Sequence, residues 1–219
     1  MKENESHSGK QHNPLVNMIL ERYEKVRGEL HNIEFMLLSN DDETIFTAMR
    51  RFGPLLIVYR DLVNAYEKDI SIFSNENRKL LEEEKEITET MFAEIASHFL
   101  KREKVPSKED DKKINAESAA RKLIKNYQKF IDKLSTENYM TVDINDKEAI
   151  HNMIELGPIM NLYKTLNTLF VSTKDCYSID DFSKIFELDT NLRTMLIDIL
   201  KYYLDIDLNE YMRNDEKTI

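Results

Sequence analysis

Apolar side chains return every three or four positions along most of this chain, the spacing that lines up one face of an α-helix. Leu15, Ile19, Tyr23, Val26, Leu30 and Ile33 mark the first such stripe, with Asn13 and Pro14 as its cap and first-turn residue and an end near Leu38. Asn40, Asp41 and Asp42 interrupt it and can cap a second helix. That helix runs toward Phe52 and meets Gly53-Pro54. A kink or short break is expected there, because proline lacks an amide donor and crowds the preceding turn. Beyond the pair, Leu55, Leu56, Ile57, Val58, Tyr59, Leu62, Val63 and Ala65 cover most of a helical circumference, the pattern of a buried helix. Ser74 then caps a long third helix with the stripe Leu80, Leu81, Ile87, Met91, Ile95 and Phe99, ending near Lys101.

The same pattern is written again 104 positions later, without a gap. Met49 aligns with Met153, Gly53 with Gly157, Pro54 with Pro158, Tyr59 with Tyr163, Leu62 with Leu166, and the cation Arg60 with Lys164. The first stripe recurs as Ala119, Leu123, Tyr127, Phe130 and Leu134, Asn145-Asp146 repeats the capping break, and Ser178 repeats Ser74. Ile159, Met160, Leu162, Tyr163, Leu166, Leu169 and Phe170 form the second buried helix. Phe182, Ile185, Phe186, Leu192, Met195, Leu196, Ile199, Leu200 and Tyr203 form the last stripe, which Asp189-Thr190 can divide in two. A repeat of this length points to two tandem copies of a three- to four-helix unit related by an approximate two-fold axis. The expected divisions are a disordered tail at 1–12, repeat one at 13–103, a charged linker at 104–114, repeat two at 115–207, and a partly frayed extension at 208–219.

Composition strengthens the all-α reading. Four glycines and four prolines in 219 residues are few for a sheet protein with many hairpins. A net charge of -10 disfavours nucleic acid as a partner, since phosphate contacts need a positive surface. A lone cysteine, Cys176, precludes an intrachain disulfide. No apolar run reaches the roughly 18 residues of a membrane span, and the expected location is cytoplasmic.

Candidate chemistry is sparse. Gly53, Pro54, Gly157 and Pro158 read as structural kinks, and Tyr59 and Tyr163 as core residues whose hydroxyls need a partner. Arg60 and Lys164 are the better ligand-binding candidates, because a cation beside a buried helix must reach solvent, a carboxylate or an anion. Glu94 with His98 and Glu148 with His151 have metal-ligand spacing, but the repeat reproduces neither pair, so no metal and no other cofactor is expected. Cys176 aligns with Ile72 and reads as a small packing residue. Glu82, Glu83, Glu84, Glu86 and Glu89 read as a solvated acidic face. No Walker loop, Gly-x-Ser-x-Gly, Cys-x-x-Cys or dinucleotide fingerprint occurs, so no catalytic residue is named and the reading leans away from an enzyme. The expected function is a non-catalytic adaptor or regulator that binds another macromolecule through helical surfaces or a groove between the repeats, a protein and a basic one by charge, with a homo-oligomer compatible. The alternative is an enzyme or small-ligand receptor with a pocket between the repeats, built on Arg60, Lys164, Tyr59 and Tyr163.

Overall fold

The computed structural model describes residues 13–38, 41–102, 116–140 and 146–215, and every regular element among them is helical. The tail at 1–12, the linker at 104–114, Asn40, Asn145 and the last four residues lie outside this set. The first half contains α1 (Pro14–Leu37), α2 (Asp42–Met49), α3 (Phe52–Lys68), a 3-10 turn at Ile70–Ile72 and α4 (Asn75–Leu100). The second contains α5 (Ala116–Thr136), α6 (Lys147–Thr173), a 3-10 turn at Lys174–Cys176, α7 (Ile179–Tyr203) and a terminal α8 (Leu208–Asp215). No helix among the described residues is long and apolar enough to cross a membrane.

Helix starts follow local chemistry. The Asn13 side chain accepts from the Leu15 amide, Asp41 from that of Glu43, Asp146 from those of Glu148 and Ala149, Ser74 from that of Asn77 and Ser178 from that of Asp181. Each supplies one of the acceptors that the first turn of a helix lacks.

The Gly-Pro pairs are accommodated in two ways. In the first half the chain turns at Arg50–Arg51, ahead of the pair, and Pro54 falls in the first turn of α3, where no intrahelical donor is needed. In the second half α6 remains helical straight through Pro158. The residues around Pro158, from Leu156 to Met160, are all buried, and their packing holds a helix that its proline disfavours. The expected division of α7 at Asp189-Thr190 is likewise absent. Asp189 is buried mid-helix and its side chain serves tertiary partners instead of capping a new turn.

Helix α1 packs on α4, α5 packs on α7, and α3 crosses α6 between these pairs. Further contacts join α2 to α6, α4 to α6 and α3 to α7, so one continuous apolar core draws residues from all eight helices. At the central crossing, a Cβ added to Gly53 would lie 1.9 Å from the Met153 carbonyl oxygen. One added to Gly157 would lie 1.9 Å from the Met49 carbonyl oxygen. With a carbon–carbon bond of about 1.5 Å, each glycine Cα is within about 3.4 Å of the opposing oxygen, the range of a Cα–H···O contact. The backbones therefore touch directly, and only glycine allows it. Met49 and Gly53 on one side meet Met153 and Gly157 on the other in a reciprocal arrangement.

Candidate functional site

Among the described residues two carboxylates are buried in this core, one on each of two long outer helices. Glu89 of α4 is 6 % exposed and accepts from the Tyr59 hydroxyl of α3 at 2.5 Å. It also accepts from the Asp205 amide, just past the end of α7, at 3.1 Å. Lys85, one turn earlier, reaches Asp205 at 3.2 Å. Glu89 thus leaves the solvated acidic face expected for its helix, because α3 and the end of α7 cover it and supply its donors. Glu82, Glu83 and Glu86 stay exposed, and Glu84 pairs with Arg27.

Asp189 of α7 is 1 % exposed. It accepts from the Tyr127 hydroxyl of α5 and the Asn167 amide of α6, both at 3.0 Å, and from the Arg102 guanidinium at 3.2 Å. Arg102 follows α4, so this ion pair joins the two halves. Its guanidinium also donates to Thr190 at 2.8 Å and lies 5.0 Å from the centre of the Phe186 ring. A buried charge requires this density of partners.

At a spacing of 104 residues the charges of the two sites are exchanged. Lys85 and Glu89 occupy the positions that Asp189 and Arg193 hold 104 residues later. Glu89 takes the amide of Asp205 beyond α7, while Arg193 donates to the Leu100 carbonyl at the end of α4, at 2.9 Å. Each half grips the other's last helical turn with a side chain of the matching polarity. The Arg51–Glu29 ion pair, 2.8 Å, is answered by Glu155–Lys133 at 3.4 Å, again with charges exchanged. The stacked Tyr66–Phe73 rings are answered by Phe170–Tyr177, with the hydroxyl on the other partner.

Burial governs the chemistry of the tyrosines. It pushes the phenols of Tyr23, Tyr59, Tyr127, Tyr139 and Tyr163 far above the ordinary value near 10, and carboxylate contacts raise Tyr59, Tyr127 and Tyr139 further. Tyr66 is pushed up to about 12 by burial, with Glu82 adding to it. Such phenols stay protonated and are poor acids or nucleophiles near neutrality; those of Tyr59, Tyr127 and Tyr139 donate to carboxylates, while those of Tyr23 and Tyr163 are buried without a hydrogen-bond partner among the described residues. Since the folded state binds these protons more tightly than the unfolded chain, stability is fully present below pH ~10 and falls as pH rises beyond it. An alkaline titration followed by phenolate absorbance is therefore expected to show most of these groups ionising together with unfolding. Gradual, independent ionisation at ordinary values with the helices intact would contradict the burial described.

The sequence-derived ligand candidates do not converge. Tyr59 faces Tyr23 and Phe92 in the first half of the core, while Tyr163 is buried near Asp189, Arg102 and Arg193 in the second. Arg60 is half-buried and forms no hydrogen bond or ion pair among the described residues. Lys164 lies instead in a cleft between α2, α4 and α6, with its ammonium 2.9 Å from His98 Nε2. Among the described residues no group of three or more histidine, cysteine, aspartate or glutamate side chains is placed to hold a metal ion. Cys176, expected to pack, is exposed, as is its counterpart Ile72, because the 3-10 turns that carry them lie at the surface.

Sequence periodicity also assigned Phe182 and Phe186 to the core. The structure exposes them at 37 % and 45 %, with Ile179 at 85 %, as a stripe along the start of α7. Phe186 stacks on Phe182, which leans on the buried Phe170 at 5.4 Å, so the two exposed rings form one aromatic surface anchored on the core. The equivalent first-half positions are Asn75, Arg78 and Glu82. That substitution of polar for apolar residues was the signal available in the sequence that these positions face outward. No protein-family model, curated protein or solved structure matches this chain.

Proposed function

We propose that this chain is a non-catalytic helical adaptor that arose by tandem duplication of one unit, at 13–103 and 115–207, and works in the cytoplasm. One half has acquired a docking face. The observation that carries this reading is the exposed Ile179, Phe182 and Phe186 stripe, present where the other half is polar. Residues at i, i+3 and i+7 present one apolar ridge, the form in which an amphipathic partner helix is gripped. Contiguous exposed aromatic surface of this kind marks interaction sites. Asp175 and Asp180 are exposed on the same stretch, Glu187 pairs with Lys184 at 3.8 Å and Arg102 lies over Phe186, so it is the -10 of the whole chain with the two aspartates that favours a basic amphipathic helix as the partner.

The duplication is supported by the shared 104-residue spacing of the 3-10 turns, the serine caps and the exchanged ion pairs. The Gly-Pro pairs serve, in this reading, to let the two central helices cross at backbone contact rather than to act as hinges. A shared pocket built on Arg60, Tyr59 and Tyr163 has no observation in its favour, because the tyrosines face separate parts of the core.

The test uses a fluorescent peptide with leucines on one helical face and lysines on the other. Binding that weakens with salt is expected, and Phe182→Ser with Phe186→Ser should weaken it by roughly 10-fold or more while the melting temperature holds. Equal binding by the wild-type and doubly substituted proteins would refute the α7 face as the docking site.

A further inference from the structure

The cleft around Lys164 is the second place where this fold departs from its own symmetry, and its lining differs in kind from the α7 face. It has a volume of about 520 Å3 and lies between the start of α2, the end of α4 and the middle of α6, so both halves build it. We infer that it is a binding site for a small organic anion, a carboxylate or phosphate head group on a short apolar body.

The polar lining is dominated by groups able to donate. Lys164 and His98 meet at 2.9 Å, with Asn161, Thr165 and Thr168 ranged along the same face of α6. The spacing 161, 164, 165 and 168 follows i, i+3, i+4 and i+7, which turns all four side chains toward one side of the helix. For a neutral imidazole to accept from the ammonium at Nε2, its proton sits on Nδ1. A head group entering here meets the Lys164 ammonium, the Asn161 amide and the Thr168 hydroxyl, while the Thr165 hydroxyl already donates to the Asn161 backbone carbonyl at 3.2 Å. Asp42 is the one carboxylate among the lining residues, against that cation. The floor is apolar, from Ile45, Phe99 and Leu169, and the ammonium already lies 5.9 Å from the centre of the Phe99 ring. A bare inorganic ion would leave that floor uncovered, which is why the ligand is assigned an apolar body.

The corresponding positions of the first half show what the site requires. Arg60 keeps the cation, but Ile57 stands in place of Asn161, Asp61 in place of Thr165 and Tyr202 in place of His98. A carboxylate beside Arg60 opposes an incoming anion, and one donor is lost to isoleucine. One site per chain follows, centred on Lys164 and not on Arg60.

Isothermal titration with phenyl phosphate and with benzoate tests this, with benzamide as the uncharged analogue. Binding of at least one anion at one site per chain is expected, together with little or no heat from benzamide. Lys164→Gln should weaken the anion by 10-fold or more, and Thr168→Val should weaken it less. Arg60→Gln should leave it unchanged. The stronger of the two anions identifies the head group. Failure of both anions to bind at millimolar concentration, or binding that Lys164→Gln does not alter, would overturn the assignment. Because the α7 face takes no part, these results are independent of the peptide experiment.

Discussion

Alanine at Gly53 or at Gly157 is expected to destabilise the fold by roughly 3 kcal/mol or more, the upper range for forcing extra atoms into a packed core. The added methyl group would sit 1.9 Å from a backbone carbonyl oxygen of the opposing helix in either case. A side chain in that place could change rotamer. A helical carbonyl cannot, so α3 and α6 must separate along the line that joins the two halves of the core. The double substitution should cost less than the sum of the singles, because the first methyl group already opens the space that the second would need. Gly28→Ala is the internal control. Nothing lies within 4 Å of a Cβ at that exposed helical position, and a gain of about 0.5–1 kcal/mol is expected from helix propensity. Urea denaturation of the four variants measures all of these. Small, additive losses at Gly53 and Gly157 would show that the helices do not touch through their backbones.

Asp189→Ala is expected to cost about 3–5 kcal/mol, as for other broken buried ion pairs. Truncation leaves the Tyr127 hydroxyl, the Asn167 amide and the Arg102 guanidinium without their shared acceptor. Arg102 is 41 % exposed on its side chain and can turn to water. The phenol and the amide are buried and cannot, so most of the loss falls on them. Asp189→Asn keeps an acceptor oxygen for one of these donors and should lose less. Urea midpoints order the two variants; a loss below about 1 kcal/mol for Asp189→Ala would mean that the network contributes little to the fold.

Where the sequence could be read, the determinants were local. Asn13, Asp41, Ser74, Asp146 and Ser178 cap helices because their side chains reach amides two or three residues away, and such geometry is contained in a few residues. The stripe from Ile19 through Ile33 is likewise buried as its period requires. Reading failed where a residue answers to a distant neighbour. Glu89 sits in an acidic run, and its burial is decided by Tyr59 and Asp205, the latter 116 positions away. Asp189-Thr190 resembles a helix start, yet Asn167 and Tyr127 claim the aspartate. Periodicity placed Phe182, Phe186 and Ile87 in the core, because a 3.6-residue period identifies an apolar face without stating how wide the covered part is. Of the proposed anion cleft, Lys164 and His98 were each visible, but 66 residues separate them and only the packing of α4 against α6 brings them together.

The polarity exchange between Lys85 with Glu89 and Asp189 with Arg193 bears on which fragments could recognise one another. A chain cut between residues 102 and 116 would yield two pieces that share one core, and each would be left with apolar surface that the other covers. If two first pieces adopted the native crossing, Arg102 would meet Lys85 where it now meets Asp189, setting cation against cation. If two second pieces did so, Asp189 would face Ile206 and lose its counterion. Self-pairing is penalised in both cases while the mixed pair keeps the Arg102–Asp189 ion pair. The fragments should therefore sort into a one-to-one complex from an equimolar mixture, an obligate heterodimer that the natural chain holds together as a single polypeptide.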